Sequence, residues 1–114
     1  MTKSEIKTRK LLIKLGVTPN LKGYEYLIEA IAIRKRDSLK AQMEIYNEVA
    51  QKFKVSVVSV ERGMRHAIER AFDYMNPLHT EVFGHANIKS GKVTTAWFIA
   101  GAAEHLRFEE SEGV

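Results

Sequence analysis

The chain has 114 residues, 45% of them hydrophobic and 28% charged, a balance that excludes a disordered tail and leaves room for one compact domain. Its 18 Lys and Arg exceed 14 Asp and Glu, so a formal charge of +4 favours a polyanionic partner. With no cysteine there is no disulfide scaffold, cysteine-ligated zinc or thiol nucleophile, which fits a reducing, cytoplasmic setting.

Behind Lys3, Lys7, Arg9 and Lys10 the apolar stretch is only Leu11, Leu12 and Ile13, too short for a signal-peptide core. The longest apolar run, Ala96 to Ala103, falls well below the roughly 20 residues of a membrane span. No export and no membrane are therefore expected. Apolar residues recur at helical spacing nearly everywhere, and no segment alternates as a half-buried strand does. The fold class read from this pattern is all-α, a single domain over residues 1–114.

A first helix starts at the capping box Thr2/Glu5, buries Ile6, Leu11, Leu12 and Leu15, and stops at Gly16. Past Pro19, a second helix aligns Tyr24, Leu27, Ile28, Ile31 and Ala32 on one stripe, leaving Tyr26 as the tyrosine expected outside. It ends in Arg34, Lys35 and Arg36, charges that suit a helix C-terminus. From the N-cap Ser38 a third helix is expected to bury Leu39, Met43, Tyr46, Ala50 and Phe53 and to end near Lys54. Ser56 then caps a fourth helix with the inward stripe Val57, Val60, Met64, Ala67, Ile68, Ala71 and Phe72. So short a connection makes a helix-turn-helix over about residues 39–74. Asn76 and Pro77 terminate it. A short fifth helix from Leu78 to Phe83, a polar loop through Lys89, Gly91 and Lys92, and a sixth helix from Thr95 to Phe108 complete a six-helix domain.

On the fourth helix the non-core arc collects Val58, Ser59, Arg62, Arg65, His66 and Glu69, with Glu61 on its flank. A guanidinium grips the O6/N7 edge of guanine bidentately, a carboxylate accepts from cytosine N4, and Ser or His holds phosphate oxygens. Glu61, Arg62 and Arg65 lie in the first half of the helix, the part that a helix-turn-helix inserts in the major groove. The same charges also fit a solvated face, since Glu61/Arg65 and Arg62/His66 are i,i+4 pairs.

Four stretches carry a family resemblance. LGVTPNLKGYEYLIEAI (Leu15 to Ile31) is similar to IGVPAHIKGYxYLREAI, and Ile45 to Lys54 to LYPDIAKKYN. VERGMRHAIE (Val60 to Glu69) is similar to VERAIRHAIE, and Val82 to Gly84 with Thr94 to Phe108 resemble an LFG turn and a final helix ending in LRF. The sequence thus resembles the C-terminal DNA-binding effector domain of the stage-zero sporulation response regulators. The resemblance implies a winged-helix-like, six-helix effector domain that binds double-stranded DNA boxes of the TGTCGAA type in the major groove. It also implies pairing as a homodimer on tandem DNA sites and action on transcription through RNA polymerase.

Residue by residue, the resemblance places Glu61, Arg62, Arg65 and His66 at recognition positions. Arg62 and Arg65 are assigned to guanine edges and Glu61 to a cytosine amino group or to orienting an arginine. Ser56, Ser59, His66, Lys52 and Lys54 are assigned to phosphates. The segment implicated in contacting the sigma subunit of RNA polymerase falls on Met75 to Ile88. Ser59 stands where the family has an arginine, which implies a weaker or shifted base preference. Trp97 stands where the family has an acidic residue. Because Trp97, Phe98 and Ile99 are consecutive, they cannot all face one core, and Trp97, Phe98, Met75 and Phe83 are the expected partner interface. The family's phosphoacceptor receiver does not lie in this sequence, so a free-standing module is expected to be constitutively competent, tethered by a partner, or a competitor for the same sites.

His66, His79, His85 and His105 lack the i,i+4 spacing of a helical zinc pair, and no nucleophile elbow or phosphate loop occurs. No metal, no cofactor and no enzymatic activity are expected. The expected function is sequence-specific DNA binding by a cytoplasmic, nucleoid-associated transcription regulator. The alternative is a protein-interaction module that binds RNA polymerase or a full-length regulator without strong specific DNA binding.

Overall fold

The computed structural model describes residues 1–89 and 93–112, which form the helices α1 (Lys3–Lys14), α2 (Lys22–Arg36), α3 (Gln42–Phe53), α4 (Val57–Phe72), α5 (Pro77–Phe83), α6 (His85–Lys89) and α7 (Thr95–Glu112). The chain is all-α as expected. No strand occurs among the described residues, so the helix-turn-helix carries no β-wing there. All six expected helices are present, and α6 is an additional short turn within the stretch read as polar loop. Gly91 and Lys92 of that loop lie outside the described residues.

Local chemistry sets both ends of α1 where the sequence placed them. The Thr2 hydroxyl accepts from the Glu5 N–H at 3.0 Å, and Gly16 leaves α1 with φ +96°, a conformation that an L side chain resists. Asn76 and Pro77, expected to terminate the fourth helix, instead open α5: α4 already ends at Phe72 with Asp73 as its C-cap, Asn76 accepts from the Leu78 N–H, the His79 imidazole Nδ1 accepts from the Asn76 N–H at 3.2 Å, and Pro77 stands in the first turn.

Three apolar assignments, Leu39, Met43 and Ile6, and the expected N-cap Ser38 are corrected, since Ala41 precedes α3. α3 begins at Gln42, because Asp37 accepts from the Leu39 N–H at 3.1 Å and holds a turn ahead of the helix. Leu39 is consequently 93% exposed and Met43 is exposed, while Ile45, Val49 and Ala50 form the buried stripe, with Tyr46 and Phe53 half-buried. Ile6 also lies on the outer face of α1.

α2 is the hub, packed against α1, α3, α4 and α7. Helices on several sides bury Tyr24, Tyr26, Leu27, Ile28, Ala30, Ile31 and Ile33, so its apolar surface is far wider than one stripe. Tyr26, expected outside, is only 9% exposed and meets the Phe53 ring edge-on at a centroid distance of 5.2 Å.

The crossing of α2 over α4 is a backbone contact. A Cβ at Gly23 would stand 2.2 Å from the Gly63 carbonyl oxygen and 2.8 Å from the Ala67 Cβ, and a Cβ at Gly63 would press on the Tyr26 ring at 3.1 Å. At the other end of α4, Phe72, Phe83 and Phe98 form an aromatic cluster with Phe83 and Phe98 stacked at 4.8 Å. This overturns the expectation that Phe83 and Phe98 belong to a partner interface. Both are core residues, 1% and 0% exposed, because α5 folds back on α7 and covers them.

Ion pairs tie the helix ends together. Arg9 donates to both carboxylate oxygens of Glu25 at 2.8 and 3.0 Å, and Lys35 reaches Glu110. The Arg107 guanidinium donates to the carbonyls of Arg34 and Lys35, satisfying the end of α2.

Gly23→Ala is expected to cost at least about 1 to 3 kcal/mol, the range for overpacking a well-filled contact, because backbone rather than a flexible side chain stands in the way. Urea denaturation would show a lowered midpoint with little change in slope. Arg9 holds the Glu25 carboxyl, and Lys35 the Glu110 carboxyl, below their ordinary value of 4.5. These depressed groups stabilise the fold above that ordinary value, and the contribution disappears as pH falls through the lower folded values. Thermal melts from pH 7 to 2 should therefore show a flatter acid limb for the double variant Glu25→Gln/Glu110→Gln than for the parent. Superimposable acid limbs would contradict the assignment.

Candidate nucleic-acid interface

The α3–α4 turn is three residues long, Lys54 to Ser56. Lys54 takes the left-handed conformation at φ 56°, and the Val55 N–H returns to the Ala50 carbonyl at 3.1 Å, closing α3. Ser56 opens α4 as its N-cap, accepting from the Ser59 N–H at 3.0 Å. The Ser56 hydroxyl also donates to the Ser59 hydroxyl at 2.9 Å, so its proton is used within the turn and Ser59 remains the better donor to an outside group.

Val60, Met64, Ala67, Ile68 and Ala71 are buried beneath α4, and Val58, Ser59, Arg62, Arg65, His66 and Glu69 are exposed, with Glu61 half-buried at the edge. The two arginines differ. Arg65 lies between carboxylates one turn away on either side, its Nη1 2.7 Å from Glu61 and its Nε 3.9 Å from Glu69. Among the described residues the Arg62 guanidinium has no hydrogen bond or ion pair.

The Arg65 pairing is lateral, since its side chain stays 53% exposed. Exposed i,i+4 pairs are worth about 0.3 to 0.5 kcal/mol, whereas a bidentate guanine contact contributes about 1 to 3 kcal/mol of discrimination. Arg65 can therefore exchange Glu61 for a base edge at small cost.

Lys54 is exposed at the turn and unpaired among the described residues. Lys52, assigned beside it to phosphate, is drawn toward α2 by Glu29 at 2.7 Å and sits 5.8 Å from the Phe53 ring centroid. Ser59, Arg62 and His66 line one groove together with Val55, with Asn20 and Leu21 just ahead of α2, and with Lys22, Gly23 and Tyr26 near its start. Asn20 and Lys22 were not singled out in the sequence. The legible signal was a pair of glycines, Gly23 and Gly63, each inside a helical pattern with no turn to serve, which marks close helix approach.

The residues expected at a partner interface do not form one patch. Trp97 is 46% exposed, and its indole N–H donates to the Phe83 carbonyl at 3.1 Å. It borders a hollow with Val82, Ala100 and Phe108, whereas Met75 lines a separate one with Phe72, Ile88 and Val93. No group of three or more acidic, His or Cys residues able to hold a metal occurs among the described residues, and no helix there is long and apolar enough to cross a membrane.

A double-mutant cycle on Glu61 and Arg65 in the free protein should return a coupling no larger than about 0.5 kcal/mol. A coupling of several kcal/mol would mean that Arg65 is locked and unable to reach a ligand.

The family model described as sporulation initiation factor Spo0A C terminal matches residues 8–106. The matched span runs from within α1 into α7 and contains the whole α3–turn–α4 unit.

Proposed function

The chain belongs to the Spo0A C-terminal family of DNA-binding effector domains, which regulate transcription in sporulation, and on that premise we propose that it binds double-stranded DNA sequence-specifically with α4 in the major groove. The observation that supports this most directly is the exposed arc of α4, where an unpaired Arg62 stands between Ser59 and His66 while the opposite face is buried against α2 and α3. Arg62 grips a guanine edge. Arg65 exchanges Glu61 for a second guanine, and Glu61 then accepts from a cytosine amino group or holds the arginine in orientation. Ser59, His66 and Lys54 meet phosphates, and Lys52 and Ser56 join them on release from their intramolecular partners.

The preferred site is a box of the TGTCGAA type, with a base preference modified by Ser59. A single small module buries only about 600 to 1,000 Å² on DNA, so two copies pairing on tandem boxes supply the remaining affinity. Exposed Met75, within the segment Met75 to Ile88, is the contact offered to the sigma subunit of RNA polymerase. The protein acts at the nucleoid, as a regulator without catalytic activity of its own. A second reading, a protein-interaction module for RNA polymerase or a full-length regulator, is favoured by Trp97 and Phe108, which α7 leaves exposed.

Mobility-shift titrations with matched and scrambled boxes separate the readings. Arg62→Ala is expected to weaken the matched box by about 1 to 3 kcal/mol more than the scrambled one. Lys54→Ala should weaken both equally and reduce the salt slope by about 0.9. Equal, salt-fragile binding of the parent protein to both duplexes would reject the DNA-reading function in favour of the interaction module.

A further inference from the structure

We infer that the groove between the first turn of α2 and the exposed face of α4 is a phosphodiester-binding cleft in which Lys22 holds the backbone of the duplex that α4 enters. This inference rests on the DNA-binding reading above.

The lining of the groove is of one sign. Its charged side chains are Lys22 from α2 and Arg62 from α4, Asn20, Ser59 and His66 add hydrogen-bonding groups, and no carboxylate borders it. The other flank of α4 is different, because Glu61 and Glu69 partly cancel Arg65. Elsewhere on the surface Arg9, Lys35, Lys40 and Lys52 are each matched to a glutamate. Lys22 and Arg62 have no such partner among the described residues, so the groove between them keeps its positive potential and attracts an anion.

The backbone that carries these cations is held in place. Gly23 brings the α2 backbone onto the Gly63 carbonyl, and Tyr26 packs at this crossing against Phe53. Lys22 is therefore adjacent to a locked contact between two long helices, not on a swinging loop. A helix lying in the major groove has a sugar–phosphate strand along its flank, and an ammonium suits that strand as a compact point charge with no base preference. Contact from α2 as well as α4 would fix the angle at which α4 enters the groove, because α2 is packed against α1, α3 and α7.

Lys22→Ala should lower affinity for matched and scrambled duplexes by the same factor, on the order of 3- to 10-fold near physiological salt, and reduce the salt slope by about 0.9. Lys22→Arg should keep the parental slope, and Lys89→Ala on α6 serves as the charge-matched control. In the parent protein, neutral methylphosphonates scanned along each strand should weaken binding at one or two positions, and these should cost nothing further in Lys22→Ala. Lys22→Gln, with its fold checked by circular dichroism, repeats the test should the alanine variant unfold. An unchanged salt slope, a loss confined to the matched duplex, or methylphosphonate effects identical in parent and variant would overturn the cleft. So would saturable binding of inorganic phosphate at Lys22 with no effect of the substitution on duplex affinity. Failure of the parent to discriminate between duplexes would instead overturn the DNA-binding reading itself.

Discussion

Direct backbone contact between α2 and α4 at Gly23 and Gly63 is the constraint on which the proposed DNA-binding surface depends. The approach requires the missing Cβ of Gly23, since a methyl group there would overlap the Gly63 carbonyl, while the bare Gly63 leaves room for the Tyr26 ring. The contact presses the hub helix onto the helix that carries the arginines. It also sets the first turn of α2 beside Ser59, Arg62 and His66. Tyr26 and Phe53 fill the space around it, so the surface is supported from beneath by α3 as well.

The charge distribution on α4 follows from this arrangement. On the flank toward α2 the cations are unopposed, and on the other flank Glu61 and Glu69 hold Arg65 weakly. An exposed pair of this kind keeps a long side chain oriented without committing it. A flank of unopposed cations beside a flank of exchangeable charges suits the proposed placement of α4, with the duplex backbone on one side and base edges on the other.

Much of this was legible in the residues. Thr2, Gly16 and Ser56 act through chemistry confined to a few neighbouring backbone groups, and such signals survive folding unchanged. The inward stripe of α4 was legible for a related reason, since one strongly amphipathic face admits one phase. Phase was ambiguous in α3, where Leu39 and Met43 continue a plausible apolar series that the Asp37 turn interrupts. Phe83, Phe98 and Tyr26 were misplaced because their burial depends on helices distant in sequence, α5 against α7 and α3 against α2.

By itself the sequence determined the helical class, most helix termini, the α3–turn–α4 unit and the exposed arc from Ser59 to Glu69, because each depends on spacing or capping within a few residues. Only the tertiary structure decided which arginine stands unpaired, that Lys52 turns to Glu29, that two phenylalanines lie inside, and that Lys22 joins Arg62 in one groove. Those outcomes require α2, α4, α5 and α7 to meet, and such meetings are governed by packing and pairing between residues far apart in the chain.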